Sequence, residues 1–353
     1  MEELFTPMRL GALELRNRIV MSAMTRSRAG EGDTPTDLHV EYYRQRAGAG
    51  LIVTEGVQPS PAGKGYCRTP GIYSRAQIDG WRRVADAVHS EGSQIVLQIM
   101  HCGRVASRSN KDDDSEIVAP SAIRCNQKIF TDTFGLLDMD EPRALDTDEI
   151  PGVVNEFRQA ALNAREAGMD GVELHCSSGY LPMQFLSSNT NQRTDRYGGS
   201  ARNRIRFVME VLEAMGEAIG FERVGLRVCP GFEYSDIHDE NPVETYGLLF
   251  DEASKLGLAY LHLVRRSFPK VDNYALVKER WRGNFILNNE LTGETAAEAI
   301  RNGDADAVSF GRPFIGNPDL PSRLRRGIPL SGYDVAKTYT PGPAGYIDYP
   351  VAS

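Results

Sequence analysis

The segment His175-Cys176-Ser177-Ser178-Gly179-Tyr180 brings an imidazole, a thiol, hydroxyls and a phenol into one short stretch. A hydrogen-bond donor at His175 and a proton source at Tyr180 suit a substrate that gathers negative charge and then takes a proton. The competing reading of such a pair is a hydrogen-bonded core histidine beside a packing tyrosine. Cys176 invites a nucleophile reading, but no base and orienting group accompany it. Near the other end, Gly311-Arg312 precedes Asn317-Pro318-Asp319. There a glycine admits close backbone approach, an arginine brings a cationic fork, and a helix can start, which together suggest a phosphate cradle.

Short apolar runs must position these groups. They are 18–22, 51–54, 95–98, 171–175, 224–228, 260–264, 285–288 and 307–310, each rich in Val, Ile or Leu. Their length and turn-residue borders fit buried parallel strands. Amphipathic stretches follow at 151–168, 200–219, 243–256, 271–280, 292–302 and 317–326, with Ser200 placed to cap the second. Strand then helix, repeated eight times, predicts an α/β fold, the parallel (β/α)8 TIM barrel, with an open doubly wound sheet as the rival. The whole chain, 1–353, reads as a single domain. Residues 4–18, turning at Leu10-Gly11-Ala12, suggest an N-terminal hairpin closing the barrel floor. Residues 103–146 form a long polar excursion after the third strand, a lid or pocket wall. Its Lys111-Asp112-Asp113-Asp114 run reads as a solvated loop tip.

Chemistry in such barrels sits at the C-terminal strand ends. Those ends carry Met24-Thr25, Glu55-Gly56, Gln98 with His101, His175 with Ser178 and Tyr180, Arg227, Val264-Arg265-Arg266, Asn288-Asn289 and Gly311-Arg312. No lysine stands there for a Schiff base, and no His-x-His pair or carboxylate cluster for a metal. Redox chemistry with an organic cofactor fits better, and no metal is expected. Forty basic against 48 acidic side chains argue against nucleic acid or an anionic membrane as partner. No apolar run approaches the roughly 20 residues of a membrane span. The acidic N-terminus lacks a signal-peptide pattern, and five scattered cysteines read as reduced thiols. A cytoplasmic enzyme, monomer or homodimer, is the expectation.

Motifs along nearly the whole chain resemble the Old Yellow Enzyme family of flavin-dependent ene-reductases. They include Leu15-Arg16-Asn17-Arg18-Ile19-Val20, Glu41-Tyr42-Tyr43-Arg44-Gln45-Arg46 and Gly65-Tyr66 with Thr69-Pro70-Gly71-Ile72. Asn191-Gln192-Arg193-Thr194-Asp195-Arg196-Tyr197-Gly198-Gly199-Ser200, Phe310-Gly311-Arg312-Pro313-Phe314-Ile315 and Gly345-Tyr346-Ile347-Asp348-Tyr349-Pro350 continue the match. The resemblance implies FMN across the top of the barrel, reduced by NADPH or NADH. It sets Thr25, preceded by Met24, on the flavin C4 carbonyl side, a threonine there pointing to the yeast-like branch. It sets Gln98 on the pyrimidine edge, Arg227 near N1 and O2, and Gly56 where the ring approaches closely. Gly311 and Arg312 would bind phosphate, helped by the amides of Asn288 and Asn289. His175 and Ser178 would bind the oxygen of an activated alkene, an α,β-unsaturated carbonyl or nitro compound, and Tyr180 would protonate it. Tyr66 and Tyr346 would line the pocket.

Some positions depart from the family pattern. Ser178 stands where His or Asn is usual, and its short hydroxyl predicts an altered substrate range. Asn288-Asn289-Glu290 stands where many relatives carry glycine, and Met100 replaces an aromatic residue. The basic pair Arg265-Arg266 suggests a contact to the 2′-phosphate of NADPH or to an acidic substrate, against an exposed or ion-paired loop charge. Two further readings keep the flavin: isomerisation or desaturation in a biosynthetic pathway, and a non-catalytic flavin-binding stress protein.

Overall fold

The computed structural model describes residues 1–352 apart from Asp113, Pro269, Asn289 and Glu290. Eight of the described strands close into a parallel barrel. They are β1 (Ile19–Met21), β2 (Leu51–Val57), β3 (Gln94–Ile99), β4 (Gly171–Cys176), β5 (Val224–Val228), β6 (Tyr260–Val264), β7 (Phe285–Asn288) and β8 (Ala307–Phe310). Each is followed by a helix: α1 (Asp37–Gln45), α2 (Arg75–Ser90), α3 (Ile150–Glu166), α4 (Arg206–Ile219), α5 (Pro242–Ala253), α6 (Asn273–Arg280), α7 (Gly293–Arg301) and α8 (Leu320–Arg326). The closed order excludes the open sheet. Outward-facing Val172, Leu174 and Cys176 of β4 join Phe157, Val208 and Leu212 of the surrounding helices in the main core, so both faces of the sheet are covered.

The barrel interior is divided by height. Its floor is apolar, with Val20, Val53, Val96, Tyr260, Ile286 and Ala307 packed on Leu10, Leu13 and Leu15. Those leucines belong to the antiparallel pair Met8–Leu10 and Leu13–Leu15, the expected floor hairpin. Gly11 turns it at φ +56°, where an added Cβ would lie 2.3 Å from the Glu222 carbonyl oxygen. Above this layer the inward positions are polar: Gln98, Glu173, His175, Arg227, His262 and Ser309. Strand register aligns them, since His175 lies opposite Arg227, Arg227 opposite His262, and Glu173 opposite Gln98.

Local boundaries differ from the sequence reading in three places. β2 runs on to Val57, with a register shift between Val53 and Gly56, so Glu55-Gly56 lies inside a bulged strand rather than at its end. Ser200 caps only the turn Ala201–Arg204, through the Asn203 amide, and α4 starts after Ile205. The last helical stretch is two pieces, Arg312–Gly316 and α8, because Pro318 follows an extended Asn317.

The excursion at 103–146 is folded rather than loose. It holds a hairpin (Lys128–Thr131 with Gly135–Asp138) and the short pair Val118–Ala119 with Arg143–Ala144. Buried Arg104 ties its start to the Ser235 and Asp236 carbonyls at 3.0 and 2.8 Å, and Arg193 holds the Pro120 carbonyl at 2.9 Å. Lys111 is not a solvated tip. Its ammonium donates to the Pro61 and Ala62 carbonyls, and burial pushes its pKa down to about 8.

Candidate active site

Two clefts open over the polar half of the barrel, and Met24-Thr25 after β1 divides them. The larger, about 1300 Å³, takes in Met24, Arg227, Arg265, Arg266, Asn288, Gly311 and Arg312. The second, about 740 Å³, takes in Thr25, Tyr66, Tyr180, Tyr234 and Tyr339. One is cationic and the other is walled by tyrosines.

In the cationic cleft Gly311 leaves room. A Cβ there would meet nothing nearer than Met24 Sδ at 3.7 Å. Arg312 is exposed and makes no hydrogen bond or ion pair among the described residues. Arg227 donates to Ser22 Oγ at 2.6 Å; burial presses its pKa down while Glu173 pushes it back up. Asn288 donates to Ser309 Oγ at 2.8 Å; Asn289 lies outside the described residues. Arg265 and Arg266 rest their guanidinium groups 4.4 and 5.3 Å from the Tyr274 and Phe232 ring centroids. Glu298 and Asp304 also border the cleft, against four arginines.

In the tyrosine-walled cleft Tyr180 donates to Tyr66 Oη at 3.2 Å, and its ring meets His175 edge-on at 5.0 Å. Burial raises the Tyr180 pKa strongly, so the phenol keeps its proton. His175 goes the other way: burial first, then Arg227, lowers its pKa to about 3, so the imidazole is neutral. Its Nδ1 is buried without a hydrogen-bond partner. An unpaired polar atom here costs free energy that a bound group would recover. Ser178 sits at φ 58°, followed by Gly179 at φ 80°, and its hydroxyl has no partner among the described residues. Asparagine tolerates that left-handed conformation better than serine does.

Several expectations are corrected. Tyr346 does not line the pocket: it is 0% exposed and stacks on Tyr42 at 4.1 Å, under Arg26 and Arg28. The tyrosine at the cleft is Tyr339, seven residues earlier, and 61% exposed. Gly56 does not open to the cleft through its missing side chain, because a Cβ would fall 2.4 Å from Met100 Sδ. Met100 in turn is buried with Cys102, Met139 and Tyr180 behind the cleft wall. His101 lies outside the site, stacked on Phe157 of α3. Arg265 and Arg266 border the cationic cleft, not the tyrosine-walled one.

The sequence reading missed Glu173, His262, Ser309 and Ser22. Gln98 donates to Glu173 Oε1 at 2.8 Å, Glu173 Oε2 meets His262 Nδ1 at 2.8 Å, and His262 Nε2 meets Ser309 Oγ at 2.7 Å. A signal was present: a carboxylate inside an otherwise buried strand, two residues before His175 and so on the same face.

The (β/α)8 barrel carries a cationic cleft beside a tyrosine-walled one, the setting of a flavin-dependent oxidoreductase. The chain belongs to the NADH:flavin oxidoreductase / NADH oxidase family, whose description matches residues 3–331, and within it to the Old Yellow Enzymes. It is 40% identical over 350 residues to a probable flavin mononucleotide-dependent alkene reductase of Leishmania infantum, covering 98% of this chain and 96% of the relative. It is 38% identical over 357 residues to rice (Oryza sativa subsp. japonica) 12-oxophytodienoate reductase 1, covering 98% and 92%. Morphinone reductase in complex with tetrahydroNAD superposes with a TM-score of 0.95 at 43% identity, covering 99% and 98%. The old yellow enzyme homologue from Zymomonas mobilis gives 0.95 at 38% identity, covering 99% of each chain. The cofactor is FMN, and a reduced nicotinamide nucleotide is the reductant.

The buried histidines predict a pH dependence. His101 and His175 are both held near pKa 3 in the folded chain, against about 6.5 when unfolded. Between those values the unfolded chain binds more protons. Their contribution to stability is therefore complete above about pH 6.5 and is lost as the pH falls toward 3. Urea unfolding at pH 7.5 and 5.5 will show lower stability at 5.5, and His101→Asn will flatten that difference by up to about 1.4 kcal/mol per pH unit. An unchanged difference in the variant would contradict the assignment for His101.

Proposed function

We propose that the chain, as one FMN-binding domain, reduces the C=C bond of activated alkenes, α,β-unsaturated carbonyl or nitro compounds, with electrons from NAD(P)H. The observation that carries this reading is the edge-on contact of an unpartnered neutral imidazole, His175, with a protonated phenol, Tyr180, that lines the tyrosine-walled cleft. FMN held in the cationic cleft would supply the hydride for the alkene. His175 donates a hydrogen bond to the carbonyl or nitro oxygen, where charge develops, and being neutral it does so without surrendering a proton. Tyr180 delivers the proton to the α-carbon. Tyr66, within hydrogen-bond reach of Tyr180 and partly exposed, can restore it from solvent.

The rest of the site orients the cofactor. Arg312, with Gly311 and Asn288, would hold the phosphate; Arg265 and Arg266 border the same cleft and would strengthen that end rather than select NADPH over NADH. Arg227, Gln98 and Thr25 would hold the flavin ring, Arg227 by its positive charge and Gln98 by its amide, and a threonine at position 25 supports a yeast-like branch. A cytoplasmic location is supported by five free cysteines.

Two variants test these roles. Tyr180→Phe will slow reoxidation of the enzyme by cyclohexenone by about 10²- to 10⁴-fold. It will leave flavin reduction by NADPH within about twofold, since no proton from Tyr180 enters that half. Stopped-flow records of both half-reactions decide; equal loss in both would remove Tyr180 from the protonation step. Ser178→Asn, which suits φ 58° and offers a longer donor, will raise kcat/KM for cyclohexenone by roughly tenfold. An unchanged value would show that this position does not touch substrate.

A further inference from the structure

The polar layer under the proposed flavin site is a chain of hydrogen bonds with one consistent direction. Asn288 Nδ2 donates to Ser309 Oγ at 2.8 Å. With His262 neutral, the Ser309 hydroxyl donates to His262 Nε2 at 2.7 Å, and Nδ1–H donates to Glu173 Oε2 at 2.8 Å. Gln98 Nε2 donates to Glu173 Oε1 at 2.8 Å. Protonating His262 would turn its Nε2 into a donor toward Ser309 and leave the serine proton without a partner, so the neutral tautomer fits the geometry.

Every donor runs toward Glu173, which is therefore the single anion of this layer. Its side chain is 0% exposed, and so is that of His262. The groups facing it are Gln98, His262, the Tyr260 phenol, whose hydroxyl is buried beside it, and the Arg227 guanidinium. A carboxylate buried this deeply persists only when paired and hydrogen-bonded, and these neighbours hold its pKa at about 2 despite burial. The arrangement also orients Gln98. With Nε2 committed to Glu173, its carbonyl oxygen is the end that no protein donor reaches among the described residues.

We propose that Glu173 is the positioning residue of the flavin site, fixing which end of the Gln98 amide faces the cleft and partly offsetting the positive charge of Arg227. The inference rests on the flavin reading given above. Through His262 and Ser309 the same carboxylate reaches Asn288 at the phosphate end, so three cofactor contacts share one anchor. Glu173 touches neither substrate nor reacting atoms, and its effect is electrostatic and orientational.

The test uses the FMN-loaded protein and its apoprotein. Glu173→Gln keeps the shape and removes the charge. His262 still donates to the new carbonyl, so the new NH2 faces Gln98 and forces that amide to turn over. Arg227, no longer offset, then favours the anionic reduced flavin. The two-electron midpoint potential should rise by about 30 mV, a tenfold change in the ratio of oxidised to reduced FMN dissociation constants, and oxidised FMN should bind more weakly. Glu173→Asp keeps the charge and should hold that ratio within about twofold of the parent. A merely structural role would lower the melting temperature of both variants and move neither potential, which would overturn the proposal.

Ser309→Ala serves where the glutamine variant does not fold. It leaves the charge in place and cuts the chain before Asn288, which keeps only the Ser309 carbonyl at 3.1 Å. FMN affinity should fall several-fold with the potential unchanged; an unchanged affinity would overturn the link to the phosphate end. A parent protein that takes up no FMN would refute the flavin reading itself. A parent that binds FMN normally, beside a Glu173→Gln variant within twofold in both potential and affinity, would refute only the role of Glu173.

Discussion

A carboxylate cannot stand in the throat of a closed barrel without donors, and Glu173, fully buried there, also raises the pKa of the nearby Arg227 against the effect of burial. The other polar features of that layer are arranged around the carboxylate. Glu173 itself needs donors, and Gln98 and His262 supply them from the neighbouring strands β3 and, across β5, β6. The apolar lower half of the barrel keeps water from reaching Glu173 from below. The floor hairpin completes that seal, with the Ala12 amide bonded to the Glu222 carbonyl at the foot of β5.

Above the charged layer the chain divides its labour between two clefts on either side of Met24-Thr25. Arginines gather in one. Tyrosines wall the other, with the neutral His175 packed edge-on against Tyr180. The opposite displacements of Tyr180 and His175, one phenol held protonated and one imidazole held neutral, come from the same cause, burial. Burial disfavours the charged form of each. The excursion at 103–146 and the C-terminal tail supply the outer walls. Arg26 and Arg28 hold the tail by its backbone carbonyls, with Arg26 reaching the Gly345 carbonyl at 2.7 Å.

The strands were legible because each is a short Val-, Ile- or Leu-rich run with polar borders, and the barrel followed from their repetition. That Gly311, Arg312, His175 and Tyr180 fall at or just after strand ends was legible, because the strands themselves were. Tyr346 misled because an aromatic in a shared motif marks importance without saying which side it faces; stacking on Tyr42 in the core explains it. Gly56 misled because a glycine shows only that space is needed, and here Met100 takes the space. Lys111 read as solvated because nothing in its acidic run reveals the Pro61 and Ala62 carbonyls that receive it. Glu173 and His262 stand 89 positions apart. Only the parallel register of β4, β5 and β6 brings them together, and no local pattern encodes that register.

The most direct test of the whole account is the visible spectrum of the purified protein, followed without oxygen as NADPH is added and then cyclohexenone. The account predicts flavin bands that bleach with NADPH and return with the enone. A colourless protein that cannot be reconstituted with FMN would contradict it at its centre.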